Sequence, residues 1–349
     1  MRAAVVEKFK EPLKIWTDWK DPEIGPDQAI IKIMANGICR SDWHLWQGHW
    51  EWMGFSPELP AVLGHESAGI VEEVGANVKR FKKGDRVVFP FGQACGCCPT
   101  CADGHQNVCE NLAMSMFMGA GGFAEYSPVA SADVNLVALP DEVSFVEGAS
   151  LGCRFMTAFH GVTYQGNVKP GQWVTVFGCG GVGLAAVDTA AAMGANVIAV
   201  SRSANKLQAA LDLGATHAVT AGDDAVGEIQ EITGGGAHVS LECLGTAATW
   251  MPSIMSLRRR GRLVRMGMTG REEEGILPIP ADMIVGMELE IVGSMGMQAR
   301  CYPEMLRMVA SGAINPGSLV KEEVSLEETS GVLERMTDFD TLGYSVIVN

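Results

Sequence analysis

The chain has 349 residues, 47% of them hydrophobic, and a formal net charge of −15. That length is enough for two domains with separate cores, and that composition excludes a disordered tail. The charge would repel a phosphate backbone, and no Lys/Arg run interleaves with aromatics, "RRRGR" at 258–262 being a short exception, so nucleic acid is excluded as a partner.

The opening "MRAAVVEKFKEPLKIW" carries charges every few positions and lacks an apolar core of signal-peptide length, so a cytoplasmic protein is expected. Residues 1–150 read as short strands separated by Gly/Pro turns. Within them "GICRSDWH" sets Cys39 ahead of Ser41, Asp42 and His44, and "VLGHESAGIVEEVG" sets His65 and Glu66 directly before an apolar strand pattern. Taken singly, each fits a structural histidine or a small core cysteine as well as a metal ligand.

Five of the ten cysteines fall in "CGCCPTCADGHQNVC", residues 95–109. A reducing cytosol disfavours stable disulfides and leaves metal binding or redox chemistry. Cys95, Cys98, Cys101 and Cys109 follow C-x2-C-x2-C-x7-C, four soft ligands for one tetrahedral zinc. The ferredoxin pattern would place its fourth cysteine after three residues and follow it with proline, whereas Glu110 follows Cys109 here. Cys97 is the spare and reads as a bystander; Cys179, Cys243 and Cys301 read as small core residues.

Further along, "VTVFGCGGVGLAAV" predicts a strand, a tight turn through Gly178, Gly180, Gly181, Val182 and Gly183, and an Ala-rich helix whose N-terminus can receive a pyrophosphate. The glycines and Asp188 exclude a membrane span there. The strand patterns "NVIAV", "HAVT", "HVSLECL" and "RLVRMG" alternate with helical stretches, as a parallel doubly wound sheet requires. About twenty residues past the glycines an acidic residue normally grips the ribose of NAD. Ser201 stands there instead, followed by Arg202 and Lys206, so a guanidinium is available for a 2′-phosphate and NADP is expected in preference to NAD.

In the order "GICRSDWH", "GHESAGIVEEVG", the four-cysteine lobe and "LGCRFMTAFHG", the whole chain resembles the zinc-dependent alcohol dehydrogenases of the medium-chain dehydrogenase/reductase family. The resemblance implies an α/β fold in which a Rossmann doubly wound parallel sheet (151–292) is inserted in a discontinuous, mainly β GroES-like catalytic domain (1–150 and 293–349), with nicotinamide and zinc in the cleft between them. It implies two zincs per subunit. Cys39, His65 and Cys153 would hold a catalytic ion with one position open to water or an alcohol oxygen, and the 95–109 lobe a closed structural ion. Cysteine at 153, where relatives acting on sugar polyols tend to carry glutamate, favours the alcohol dehydrogenase type.

By the same resemblance Asp42 and Glu66 would support the zinc ligands, Asp42 and Glu66 tuning the site's charge and fixing the His65 tautomer. Ser41 would take the substrate proton and pass it through the cofactor ribose to His44, a solvent-edge histidine of ordinary pKa. Arg40 would meet the pyrophosphate, and Thr157 would neighbour the nicotinamide. In "TLGYSVIV" Tyr344 stands where relatives often carry arginine, which puts a second phosphate contact in doubt. Trp43, Trp46, Trp50 and Trp52, with Met114, Met116 and Met118, suit either an aromatic wall for a bulky, cyclic or aromatic alcohol or the packing of their own loops. A small-molecule alcohol or carbonyl is the expected substrate, with no membrane partner. A homodimer or homotetramer is expected, with "LEIVGSMG" as a candidate sheet edge. A zinc-independent quinone or enoyl reductase needs neither the ligand triad nor the cysteine lobe; a silent NADPH-binding protein needs neither Ser41 nor His44.

Overall fold

The computed structural model describes residues 1–270, 272–339 and 341–349. The chain divides into two compact units, Met1–Met156 with Gly296–Asn349, and Thr157–Met295.

The second unit is built on six parallel strands in the order His217–Thr220, Asn196–Ser201, Trp173–Phe177, Ala237–Glu242, Leu257–Arg265, Glu290–Gly293. The earliest strand lies centrally and the order reverses beside it, which is the doubly wound Rossmann arrangement. Strands covered on both faces must be apolar throughout, and Trp173–Phe177 and Asn196–Ser201 are buried along almost their whole length. Among the described residues Glu290–Gly293 pairs only with Leu257–Arg265 and closes one side of the sheet, so the strand in the segment read as a candidate edge lies at an edge.

The Trp173–Phe177 strand ends in Gly178, whose φ of +94° suits glycine, and the Gly181–Ala192 helix follows. A Cβ on Gly183 would lie 1.9 Å from the carbonyl oxygen of Gly178, so helix and turn approach this closely only without a side chain. Phe177 sits opposite Val200 in the neighbouring strand. That register brings the glycine turn and the Ser201–Arg202 corner to the same carboxyl end of the sheet.

In the first unit a mainly antiparallel sheet is organised by the long strand Ala29–Ile38. Glu66–Val74 pairs with it so that Gly37 faces Glu66, and Tyr344–Val348 returns on its other side with Ser345 facing Ile38. Cys39, His65 with Glu66, and Tyr344 are therefore delivered to one end of the sheet by three neighbouring strands. Beside it lies a core that includes Trp43, Trp46, Trp50, Phe123 and Met116. Each indole removes roughly 150–250 Å² from water, several kcal/mol at about 25 cal/mol per Å². Among the described residues no helix is long and apolar enough to cross a membrane.

Candidate active site

Cys39 ends the central strand and precedes the Arg40–Trp46 helix, His65 precedes the Glu66–Val74 strand, and Cys153 sits in the irregular turn Leu151–Phe155. Their ligand atoms all lie within 4.8 Å of one another. Two buried carboxylates assemble them. Asp42 accepts the Cys39 N–H at Oδ2 (2.9 Å), and the Gly64 N–H (3.0 Å) and His65 Nδ1 (2.9 Å) at Oδ1. Glu66 accepts the Arg154 backbone N–H (2.9 Å) and its guanidinium Nε (3.0 Å), tying the residue after one ligand to the residue after another.

The donor set fits a zinc ion. With Nδ1 committed to Asp42, His65 Nε2 is buried without a hydrogen-bond partner among the described residues, the state of an imidazole awaiting a metal. Cys39 is held well below the ordinary thiol range, first by the Cys153 thiol and then by the His65 imidazole. Two sulfurs and one nitrogen leave a tetrahedral ion one ligand short, the open type of site.

Cys95, Cys98, Cys101 and Cys109 form a second cluster, its ligand atoms again within 4.8 Å of one another. Sγ separations of 3.5 Å (Cys109 to Cys95) and 3.8 Å (Cys98 to Cys109) approach the roughly 3.8 Å edge of a tetrahedron with about 2.3 Å zinc–sulfur bonds. Backbone N–H groups of Cys97 and Cys98 bring the Cys95 thiol down to about 5. Four protein sulfurs close this site to any substrate. Cys97 is exposed and outside the tetrahedron, 3.7 Å from Cys95 Sγ.

Ser41 and His44 lie one turn apart on the Arg40–Trp46 helix. The ordinary pKa expected of His44 is corrected: burial, then His49 and Arg40, push it down to about 3. Its ring stacks on Trp50 (4.9 Å, 16°) rather than standing free in solvent. The Trp43 and Trp46 indoles pack in the core and donate to Thr337 Oγ1 and the Glu11 carbonyl. Trp52 and Met118 are exposed. Arg40 donates to the Met336 carbonyl, its guanidinium near the rings of Trp43 and Phe339.

In the second unit the glycine turn, Ser201 and Arg202 meet at the strand ends; Ser201 Oγ accepts the Ser203 N–H (3.3 Å) and Arg202 is exposed. Lys206 lies in the Ala204–Asp212 helix, and Thr157 is buried at the start of the unit.

Two residues of the site, Arg154 and His49, escaped the sequence reading, and Tyr344 has a contact it did not foresee. Arg154 is buried against Glu66 with Tyr344 stacked on its guanidinium (3.7 Å), and His49 Nδ1 lies 3.2 Å from His44 Nδ1. An arginine inside the apolar run "ASLGCRFMTAF" was the available signal, because a charge there must find a partner. Gly37 and Gly152 make room for that partner: a Cβ on either would come within 2.5 Å of Glu66.

Comparison with known proteins agrees with this geometry. The zinc-binding dehydrogenase family model matches residues 181–311, and the alcohol dehydrogenase GroES-like domain model matches residues 25–141. An alcohol dehydrogenase of Geobacillus stearothermophilus is 36% identical over 338 residues, 96% of each chain. The chain belongs to the zinc-dependent alcohol dehydrogenases of the medium-chain dehydrogenase/reductase family. Among solved structures, this dehydrogenase resembles the alcohol dehydrogenase of Thermus sp. ATN1, with a TM-score of 0.91 and 30% identity over 100% of this chain and 99% of that one. The benzyl alcohol dehydrogenase of Acinetobacter calcoaceticus matches with a TM-score of 0.88 and 26% identity over 99% and 98%. The dehydrogenase is thus an NAD(P)-dependent oxidoreductase with two candidate zinc sites in each chain.

Proposed function

We propose that the enzyme interconverts a bulky, cyclic or aromatic alcohol and its aldehyde or ketone, taking NADP in preference to NAD. The observation that carries the reaction is the convergence of Cys39, Cys153 and an unpartnered His65 Nε2 on one point. When bound there, zinc supplies a Lewis acid for the substrate oxygen, and the nicotinamide supplies the hydride acceptor or donor.

The rest falls to the chain. Asp42 fixes the His65 tautomer so that Nε2 faces the two sulfurs. Arg154 holds the Glu66 carboxylate, setting the local charge behind Cys153. Ser41 takes the hydroxyl proton and His44 moves it outward. The Gly178–Gly183 turn receives the pyrophosphate at the helix N-terminus, with Arg40 as a further cation and Thr157 at the nicotinamide. Arg202 and Lys206 meet the 2′-phosphate, and Ser201, unlike an aspartate, does not repel it.

A ring-bearing substrate is supported by the likeness to an enzyme named for benzyl alcohol. The exposed Glu290–Gly293 edge, with Ile276 and Val285 exposed nearby in sequence, supports assembly into a homodimer or homotetramer. The reduced cysteine clusters fit the cytoplasm.

A panel of aromatic, cyclic and aliphatic alcohols assayed with NADP+ and with NAD+ tests the proposal. Arg202→Ala is expected to lower kcat/KM for NADP+ by about tenfold or more, as loss of a charged hydrogen bond does, and to spare NAD+. Equal losses with both cofactors would contradict the NADP assignment, and a preference for short aliphatic alcohols would contradict the substrate class.

A further inference from the structure

A second imidazole, His49, stands 3.2 Å from His44 Nδ1, which makes His44 a poor last station for a proton path. A terminal acceptor must hold its proton until water removes it, which asks for a pKa near the working pH. The groups acting on His44 set the opposite condition: burial disfavours the imidazolium, and His49 and Arg40 add like charge. A proton that reaches His44 is therefore driven onward to a neighbour.

The structure supplies the exit. His49 follows the Arg40–Trp46 helix, and its backbone N–H returns to the His44 carbonyl (3.0 Å), closing the turn. That closure sets the two Nδ1 atoms 3.2 Å apart, so one ring donates and the other accepts. Trp50 stacks on His44 and Trp43 packs edge-on against both imidazoles at 5.0 Å, holding the rings in this relation.

We infer that His49 is the outer acceptor of the proton relay. The inference rests on the reading of Ser41 and His44 given above. In alcohol oxidation a new N–H bond forms at His44 Nε2 as its Nδ1–H bond breaks, and the departing proton forms the N–H bond at His49 Nδ1. His49 then gives a proton from Nε2 to water. No electrons move in these steps, since the hydride pair leaves the carbinol carbon for the nicotinamide. Carbonyl reduction runs the same transfers backward. His49 touches His44 and not the reacting atoms, so it acts by positioning and accepting the proton.

The test uses the zinc-loaded enzyme with saturating alcohol and cofactor, and compares His49→Gln, His49→Asn, His44→Gln and the double His44→Gln/His49→Gln variant. Both His49 variants are expected to lose about 10²-fold in kcat, the low end for a general acid–base group, with KM for the cofactor unchanged. Their solvent deuterium isotope effect should rise, imidazole added to the buffer should restore turnover, and the double variant should be no slower than His44→Gln. In the wild type, ¹⁵N shifts should report a hydrogen bond between the two Nδ1 atoms. Wild-type kcat and pH profile in both His49 variants, beside a slow His44→Gln, would overturn the role of His49 alone. Full turnover in His44→Gln would instead remove the relay on which it rests.

Discussion

Glu66 and Arg154 form a fully buried ion pair in which the carboxylate takes both the guanidinium and the backbone N–H of the arginine, while Tyr344 covers the other face of the guanidinium at 3.7 Å. The three side chains come from segments far apart in sequence, yet each directly follows a zinc ligand or opens the strand beside one. The pair thus fixes His65 relative to Cys153 before any ion binds.

Removing one member strands the other. Arg154→Met leaves a buried carboxylate without a partner and should cost about 3–5 kcal/mol, whereas the double variant Arg154→Met/Glu66→Gln should recover much of that loss. Chemical denaturation of the three proteins checks this. An equal loss in the single and double variants would show that the pair contributes nothing as a pair.

Asp42 has a different part, because it bonds to a ligand's ring. Asp42→Asn still fills the space but no longer holds the His65 proton at Nδ1 as a carboxylate does. Zinc affinity at the open site should fall by about 10–100-fold, measured by competition with a chromogenic chelator. Undiminished affinity would show that the packing around His65 alone sets its tautomer.

Cys97 lies beside the four-sulfur cluster without belonging to it. Cys97→Ser should keep both zincs, and Cys98→Ser should lose one and loosen the 95–109 lobe, as metal analysis and limited proteolysis would report. Loss of zinc in Cys97→Ser would make it a ligand.

The depressed pKa of His44 predicts acid lability. Its folded value is about 3 against an ordinary 6.5, so below 6.5 the unfolded chain binds the extra proton. The stability associated with neutral His44 is complete above that value and is lost progressively as the pH falls toward 3. Between pH 6.5 and 5 the loss is about 2 kcal/mol, at about 1.4 kcal/mol per unit. His44→Gln should lose less over the same interval, and denaturation midpoints at the two pH values give the comparison. Parallel losses would place the acid lability elsewhere.

The four-cysteine lobe and the parallel sheet were legible in the sequence because their chemistry restricts residue type at short range, whereas Cys39, His65 and Cys153 could be named only through the family resemblance. Four thiols spaced for one ion and a glycine turn between a strand and a helix each announce themselves within about fifteen residues. Arg154 was not legible as a partner of Glu66, since 88 residues separate them and only the tertiary fold brings the Leu151–Phe155 turn against the start of the Glu66–Val74 strand. The state of His44 was hidden for a different reason: its burial, the stacked Trp50 ring and the approach of His49 follow from how this short loop folds and not from the residue types in it. Trp43 and Trp46 read equally as pocket or packing until their indole N–H groups were placed. An apolar ring carries no signal in sequence of which side it faces.

Zinc content measured alongside alcohol-dependent NAD(P) reduction, before and after chelation and after zinc is restored, tests the central claim most directly. Two zincs per chain are expected, with turnover lost when the Cys39–His65–Cys153 ion is withdrawn and regained when it returns, while the 95–109 ion stays in place. Undiminished turnover with that three-ligand site verified as metal-free would contradict the account.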